Sequence, residues 1–289
     1  MAIKGSGSSL SFTEIEAEFG QNGSRSLGAY RLSQNIGSLS NLPLDSGIPT
    51  SGQIKFSDFY SKKLNIVVDC HSGGQETRKS AKNDKWNNNN LTVVGGFRSK
   101  KEGGSKIIIN INKKFCSDKS NVAHCALKTG SWDATAVVQV DVGSSGRILG
   151  SGGDGGRGQN GIDGSAQAGF DGSSGLGIEV NNCTVNVASG GVVRAGFGGG
   201  GGGGGGRQVD KGEDRRASGG GGGGGAGCPA GSGGPRGTTG SLGSDGSAGS
   251  ETTGGGGGNG GNNENQAFGG SGGSGGQAQG GPGGGSGGA

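Results

Sequence analysis

The pattern of apolar and polar positions divides the chain into three parts. Residues 1–62 carry two short related phrases separated by a loop rich in Ser, Asn, Leu and Pro. The first, Ser9-Leu10-Ser11-Phe12-Thr13-Glu14-Ile15-Glu16-Ala17-Glu18-Phe19-Gly20, predicts a brief strand and then a helix of one to two turns, capped by Thr13 with Glu16 three residues on and ended by Gly20. The second, Ser51-Gly52-Gln53-Ile54-Lys55-Phe56-Ser57-Asp58-Phe59-Tyr60, repeats the order of glycine, an apolar-polar-apolar strand, serine, an acidic residue and aromatics. So few aliphatic residues do not make a core of their own, and the segment is expected to dock on another surface.

Residues 63–142 have the pattern of strands. Leu64 to Asp69, Leu91 to Phe97, Lys106 to Phe115 and Thr135 to Val142 are rich in Val and Ile, are separated by Asn, Gly and Ser, and predict a small β domain. A regular strand over the third run turns Ile107, Ile109 and Ile111 to one side. Trp86 and Trp132 stand beside strands and are read as closing the edges of a small core.

Beyond residue 143 the period becomes three. Gly152, Gly155, Gly158, Gly161 and Gly164 are in phase, as are Gly169, Gly172 and Gly175, then Gly231 through Gly249, then Gly269, Gly272 and Gly275, and Gly281, Gly284 and Gly287. Three residues per turn is the period of an extended left-handed helix that makes no internal hydrogen bonds. Buried segments of that kind must satisfy every backbone group through their neighbours. Glycine allows the close approach this needs, so a bundle of extended segments is expected, with the polar inserts as end loops. The run Gly198 to Gly206, with glycine on every face, is the expected centre of that bundle, and Gly202→Val is expected to force it apart. Composition alone favours disorder, but the phased triplets and the apolar lead-ins Ile178-Glu179-Val180 and Val185-Asn186-Val187 argue for order.

Composition sharpens this division. The chain has 78 glycines in 289 residues, of which 63 fall in residues 143–289. With only five prolines and a broken period, it does not follow the collagen pattern. Residues 1–142 carry 18 Lys and Arg against 12 Asp and Glu, and residues 143–289 carry 8 against 10. No basic patch with interleaved aromatics points to nucleic acid. The opening Met1-Ala2-Ile3-Lys4-Gly5-Ser6 has no apolar run, and no stretch approaches a membrane-spanning length, so neither a secretory signal nor a membrane insertion is expected. The five cysteines, Cys70, Cys116, Cys125, Cys183 and Cys228, match no familiar framework and are read as reduced, mostly structural thiols.

Two resemblances arise from these residues. "SLSFTEIEAEFG", "SLGAYR" and "SGQIKFSDFY" together resemble the short N-terminal module of many tailed-bacteriophage structural and tail proteins, although Ser61 stands where that module usually has glycine. "GRILGSGGDGGRGQNG" and "GLGIEVNNCTVNVASGGVVRAGFGGGGGGGGG", followed by glycine runs split by polar loops, are similar to the receptor-recognising adhesin at the tip of T-even type phage long tail fibres. In that family, glycine-rich motifs fold as a sandwich of polyglycine type II helices. The resemblance implies a virion protein of the phage tail, made in the host cytoplasm. Its partners would be other tail or baseplate proteins and a bacterial outer-surface receptor, protein or glycan, with homo-oligomerisation open.

The expected fold is therefore mainly β, with a glycine-rich bundle of polyglycine type II helices and little α-helix. Residues 1–62 form a virion-attachment module, 63–142 a small β domain and 143–289 the bundle with a loop-borne binding surface. Attachment is assigned to Phe12, Ile15, Phe19, Ile54, Phe56, Phe59 and Tyr60. Receptor contact is assigned to Arg207, Gln208, Asp210, Lys211, Glu213, Arg215 and Arg216, and to Asn262, Asn263, Gln266 and Phe268. Arginine offers fixed donor forks to sugars or acidic groups; a solvated loop that keeps a glycine-rich protein soluble is the equal alternative. The insert Gly227-Cys228-Pro229-Ala230 is a further candidate.

Cys70, His71, Cys116, His124 and Cys125 are suitable zinc or iron ligands by type but not by spacing, so no metal and no cofactor is expected. The glycine runs lack the Gly-Lys-Ser/Thr ending of a phosphate loop. Both histidines adjoin cysteine, which leaves little for acyl-transfer chemistry, and an enzyme is not expected. A purely structural baseplate, neck or fibre component is the alternative to the adhesin.

Overall fold

The computed structural model of the chain describes residues 3–21, 26–70, 75–77, 79–80, 91–96, 103–263 and 267–277. His71, Trp86, Phe97, Gln266 and the triplet at Gly281, Gly284 and Gly287 lie outside them. The described fold is mainly β with little helix.

The β-branched runs form a parallel coil with three faces. On the first face, Asn65–Cys70, Lys106–Ile111, Val137–Val142 and Cys183–Val187 pair in parallel, residue against residue. On the second, Glu76–Thr77, Lys114–Cys116, Arg147–Leu149 and Val192–Arg194 do the same. The third face stacks Lys79–Ser80, Leu127–Lys128 and Leu176–Gly177. The run expected as one strand over Lys106 to Phe115 is thus two strands on different faces, because the coil turns a corner at Asn112 and Lys113. Alternation sends Ile66, Val68, Ile107, Ile109, Ile111, Val138, Val140 and Val142 inward to one core. Trp132 closes that core with its indole N–H on the Thr129 carbonyl at 2.7 Å. The coil recruits strands from both sides of residue 143, since Arg147–Leu149, Cys183–Val187 and Val192–Arg194 complete sheets begun by earlier strands.

The outward residues Val67 and Ile108 are covered by residues 3–64. The helix is Phe12–Phe19, capped by Ser11 with Glu14 rather than by Thr13 with Glu16, and ended by Gly20. The cap moves two residues earlier because Phe12 enters the helix to meet Phe56 edge-on, with ring centroids 5.0 Å apart. The second phrase forms a 3-10 turn over Phe56–Phe59 instead of a strand. Phe19, Tyr30 and Phe59 pack mutually edge-on with Ile15, Leu44 and Leu64 against Val67 and Ile108. The buried Glu18 accepts the Leu64 N–H at 2.9 Å and ties the helix to the start of the coil. The surface on which this segment docks therefore belongs to the same chain.

The glycine-rich half consists of extended segments at 150–159, 167–175, 196–205, 217–228, 231–237, 241–250, 254–261 and 268–276. Residues 217–228 are buried throughout. Their N–H groups visit three neighbours in rotation: Gly219, Gly222 and Gly225 donate to Gln159, Gly156 and Gly153, while Gly220, Gly223 and Ala226 donate to Gly270, Gly273 and Gly276. Gly221, Gly224 and Gly227 donate to Ser244, Ser247 and Ser250. Their carbonyls rotate in the same way through Gly237, Gly234 and Gly231, through Gly203, Gly200 and Phe197, and through Gly258 and Gly255. The six surrounding segments also bond to one another in a closed ring, with 167–175 outside it between 150–159 and 196–205.

The longest glycine run is therefore not the centre. Residues 196–205 bond to four segments, and Gly198–Gly206 are only half-buried at most positions. They continue directly from the strand Val192–Arg194 and are held beside the coil, whereas 217–228 continues from a hairpin and is free to be enclosed.

Glycine is required here because the segments touch through their backbones. A Cβ on Gly222 would sit 2.0 Å from the Gly200 carbonyl oxygen, and one on Gly202 would sit 2.1 Å from that of Arg157. At Gly256 the nearest atom would be the Ser247 hydroxyl at 3.7 Å. Gly222→Ala is accordingly expected to destabilise the chain by about 3 kcal/mol or to prevent folding, and Gly256→Ala to change stability by less than about 0.5 kcal/mol. Thermal melts and limited proteolysis check this; equal behaviour of the two variants would contradict the backbone packing.

Candidate functional site

The segments join at two ends. One end meets the second face of the coil. There Cys116 and Cys228 form a disulfide across 112 residues with Cα atoms 5.1 Å apart, so these two cysteines are neither reduced nor free for a metal. The Gly227–Ala230 insert thus faces the coil and does not belong to a free binding surface. Beside it, Glu251 receives Lys114, Arg147 at 2.8 Å and, on its carbonyl, Arg194. These cations come from three successive turns of the coil.

The opposite end is free and gathers the turn at Asn160–Asp163, the hairpin Gly206–Asp210/Glu213–Ala217, the turn around Gly240 and the short pair Asn262–Asn263/Ala267–Phe268. The first hairpin turns through Lys211 (φ 47°) and Gly212 (φ 84°), the positive-φ pair that suits a two-residue connection between twisted strands. Arg207, Gln208, Asp210, Lys211, Glu213, Arg215 and Arg216 lie on this hairpin, and it runs beside the strands holding Asn262, Asn263 and Phe268.

The arginines of the tip are committed to neighbours. Asp214 accepts from Arg216 at 2.8 Å and from Arg207 at 2.8 Å, and these two hydrogen bonds hold its carboxyl below the usual range. Arg215 pairs with Glu213 at 2.7 Å, and Arg216 also reaches Asp163 at 3.5 Å. Alternation places Arg207, Val209, Asp214 and Arg216 on one face of the hairpin. Arg215 and Arg216 each meet a carboxylate two residues away on their own strand, and Arg207 meets Asp214 diagonally across the pair, so the guanidinium groups are held by the hairpin's own acids. Beside these exposed polar side chains the tip also presents apolar ones. Val209 and Phe268 are 58% and 60% exposed, and Leu242 and Ile162 are also exposed. Of these, Ile162, Val209 and Leu242 were not among the assigned residues. Their sequence signal is an isolated aliphatic within a polar or glycine-rich stretch that has no core for it to enter.

The other assigned residues are scattered. Ile15, Phe19 and Phe59 are fully buried within the chain and hold the first segment on the coil. Phe12, Ile54, Phe56 and Tyr60 keep part of their surface exposed. Among the metal candidates, Cys70 is buried in the coil core and Cys116 is in the disulfide. The His124 Nδ1 contacts Asp118 at 2.9 Å and Ser120 at 3.1 Å. Both contacts fall on one ring nitrogen, so the trio does not form a relay, which uses both nitrogens. Among the described residues no cluster of three or more His, Cys, Asp or Glu is placed to hold a metal ion, and no helix is long and apolar enough to cross a membrane.

Compared with known proteins, the chain matches no family model, and no curated protein or solved structure is detectably similar to it.

The fixed end supplies a test by pH. Lys114 first, then Arg147, holds the Glu251 carboxyl below its ordinary value. A lowered folded-state value means stability that is complete above the unfolded value of about 4.3 and lost as pH falls through the folded-state value. Glu251→Gln is expected to cost about 0.5 kcal/mol at pH 7, the scale of a solvent-screened pair, and to match the unmodified chain once the pH has fallen below the folded-state value. Melting curves across that range check the convergence; a deficit that stays constant with pH would rule out the ion-pair contribution.

Proposed function

We propose that the chain is a tail-tip or tail-fibre adhesin of a tailed bacteriophage. Residues 1–62 and the coil face the virion, and the free end of the glycine-rich half binds a host-cell surface receptor noncovalently. In this reading the extended segments are polyglycine type II helices, supported by the three-residue rotation of hydrogen bonds around 217–228. The observation that carries the receptor assignment is the convergence of Ile162, Val209, Leu242 and Phe268, all exposed, on the one end of the frame that is not joined to the coil. Solvent-exposed apolar groups gathered on a rigid scaffold are a common basis of binding sites. The partners are tail or baseplate proteins on one side and a bacterial outer-surface protein or glycan on the other. The location is the phage tail.

A second reading, a structural virion component without receptor contact, is favoured by the internal pairing of the tip arginines, which leaves few free charges for an acidic receptor. The two readings separate on one experiment. Phage carrying Val209→Asp together with Phe268→Ala is expected to assemble normally, with an unchanged melting temperature of the isolated chain, and to lose adsorption to host cells by more than about tenfold, as removal of central binding residues does. Normal adsorption by intact particles would favour the structural component and sink the tip as the receptor site.

A further inference from the structure

The last turn of the parallel coil ends in an open edge. On the first face, Cys183–Val187 is the terminal strand, and among the described residues nothing pairs with its outer side. Its inner side bonds to Val137–Val142, with Val138 N–H donating to Asn182 and Ala188 N–H donating to Val142. In a parallel ladder the same strand bonds through alternate residues. Residues 182, 184, 186 and 188 therefore face inward, and the N–H and C=O groups of Cys183, Val185 and Val187 face the open side. The core ends here as well, since Leu176, Val180, Cys183 and Val185 are only partly buried, Ile178 is 52% exposed and Val187 is 48% exposed. Stacked-repeat folds need their terminal repeats covered, and a bare edge invites another strand.

The geometry points to a second copy of this chain as the occupant, joined through an antiparallel pairing of Cys183–Val187 with itself. Three features specify a copy. First, the strand reads apolar, polar, apolar, polar, apolar about Val185, so a two-fold axis at Val185 sets Val185 on Val185, Cys183 on Val187 and Thr184 on Asn186. Apolar side chains then meet only apolar ones. Second, all three apolar residues have their backbone groups on the open side, which is the requirement for closely bonded antiparallel pairs that exchange both N–H···O bonds. Third, no charged residue occurs from Val180 to Gly191, so the pairing brings no like charges together.

The two-fold pairing decides the stoichiometry. It uses the Cys183–Val187 edge of both copies and leaves that edge free in neither, so association closes at two copies. The other end of the sheet is the three-residue strand Leu91–Val93, antiparallel on Asn65–Cys70, and it takes no part.

This inference does not rest on the adhesin reading. Its test is light scattering of the full chain over concentrations of about 1 to 100 µM, the range in which a micromolar pairing is visible. The expected result is a mass that rises to twice that of one chain. Val187→Lys and Thr184→Lys, both at exposed positions and on opposite faces of the strand, are each expected to return the chain to a single copy with its melting temperature unchanged, since charge on an edge strand blocks pairing. A single-copy mass at every concentration overturns the proposal, including the case in which the edge pairs only with a strand of another protein. A dimer that persists in both variants overturns it too, because that dimer uses another surface.

Discussion

The structure depends on hydrogen bonding to residues 217–228. An extended segment with a three-residue period cannot bond to itself, so each buried N–H and C=O left without a neighbour would cost about 1–3 kcal/mol. Six surrounding segments meet that demand in rotation, and they can approach only because the contact surfaces have no Cβ atoms. Gly152, Gly155 and Gly158 on one neighbour, and Gly246 and Gly249 on another, would each place a Cβ within 2.5 Å of a carbonyl oxygen of 217–228. The backbone rather than a side-chain core carries the cohesion of this half, and its largest buried side chains are small ones such as Ala226 and Cys228.

The coil solves the problem of starting such a lattice. Glycine loses the most backbone entropy on ordering, and separate segments would have to find one another without side chains to guide them. Instead Arg147–Leu149 and Val192–Arg194, paired in register one strand spacing apart, run straight on into 150–159 and 196–205. These two therefore enter the lattice already parallel and adjacent, as the bonds from Gly153 to Phe197 and from Gly156 to Gly200 record. The segment 167–175 returns to the coil through Leu176–Gly177. The Cys116–Cys228 disulfide and the three cations on Glu251 then hold later segments against the same face.

Much of this was legible from residue pattern. The alternation of Ile107, Ile109 and Ile111 marked one buried face, and the triplets marked segments that bond through neighbours. The topology was not legible, because a parallel coil is defined by which distant strands lie side by side, such as Val138 with Ile107 and Cys183, and local periodicity contains no such information. Nor was the centre of the lattice. Length of the glycine run favours Gly198–Gly206, but position is set by what precedes each run, and that is a property of the assembled coil. The tip was half legible: its charge is plain in the insert Arg207 to Arg216, while the pairing of Arg207 and Arg216 on Asp214 follows from a hairpin register fixed by Lys211 and Gly212.

The division of labour between backbone and side chains has a consequence for the free end. In an ordinary domain a binding loop shares residues with the core, so changes in recognition disturb stability. Here the cohesion ends with the glycine segments, and Val209, Leu242 and Phe268 contribute little to it because they are mostly in solvent. The hairpin bearing Val209 holds its own shape through a two-residue turn and the carboxylate of Asp214. Such a tip can be exchanged almost as a unit without altering the lattice below it, provided that Gly206 and Ala217 still deliver the chain to the same two segments. In the proposed reading, the glycine lattice is then a frame whose stability does not depend on the identity of the residues displayed at its tip.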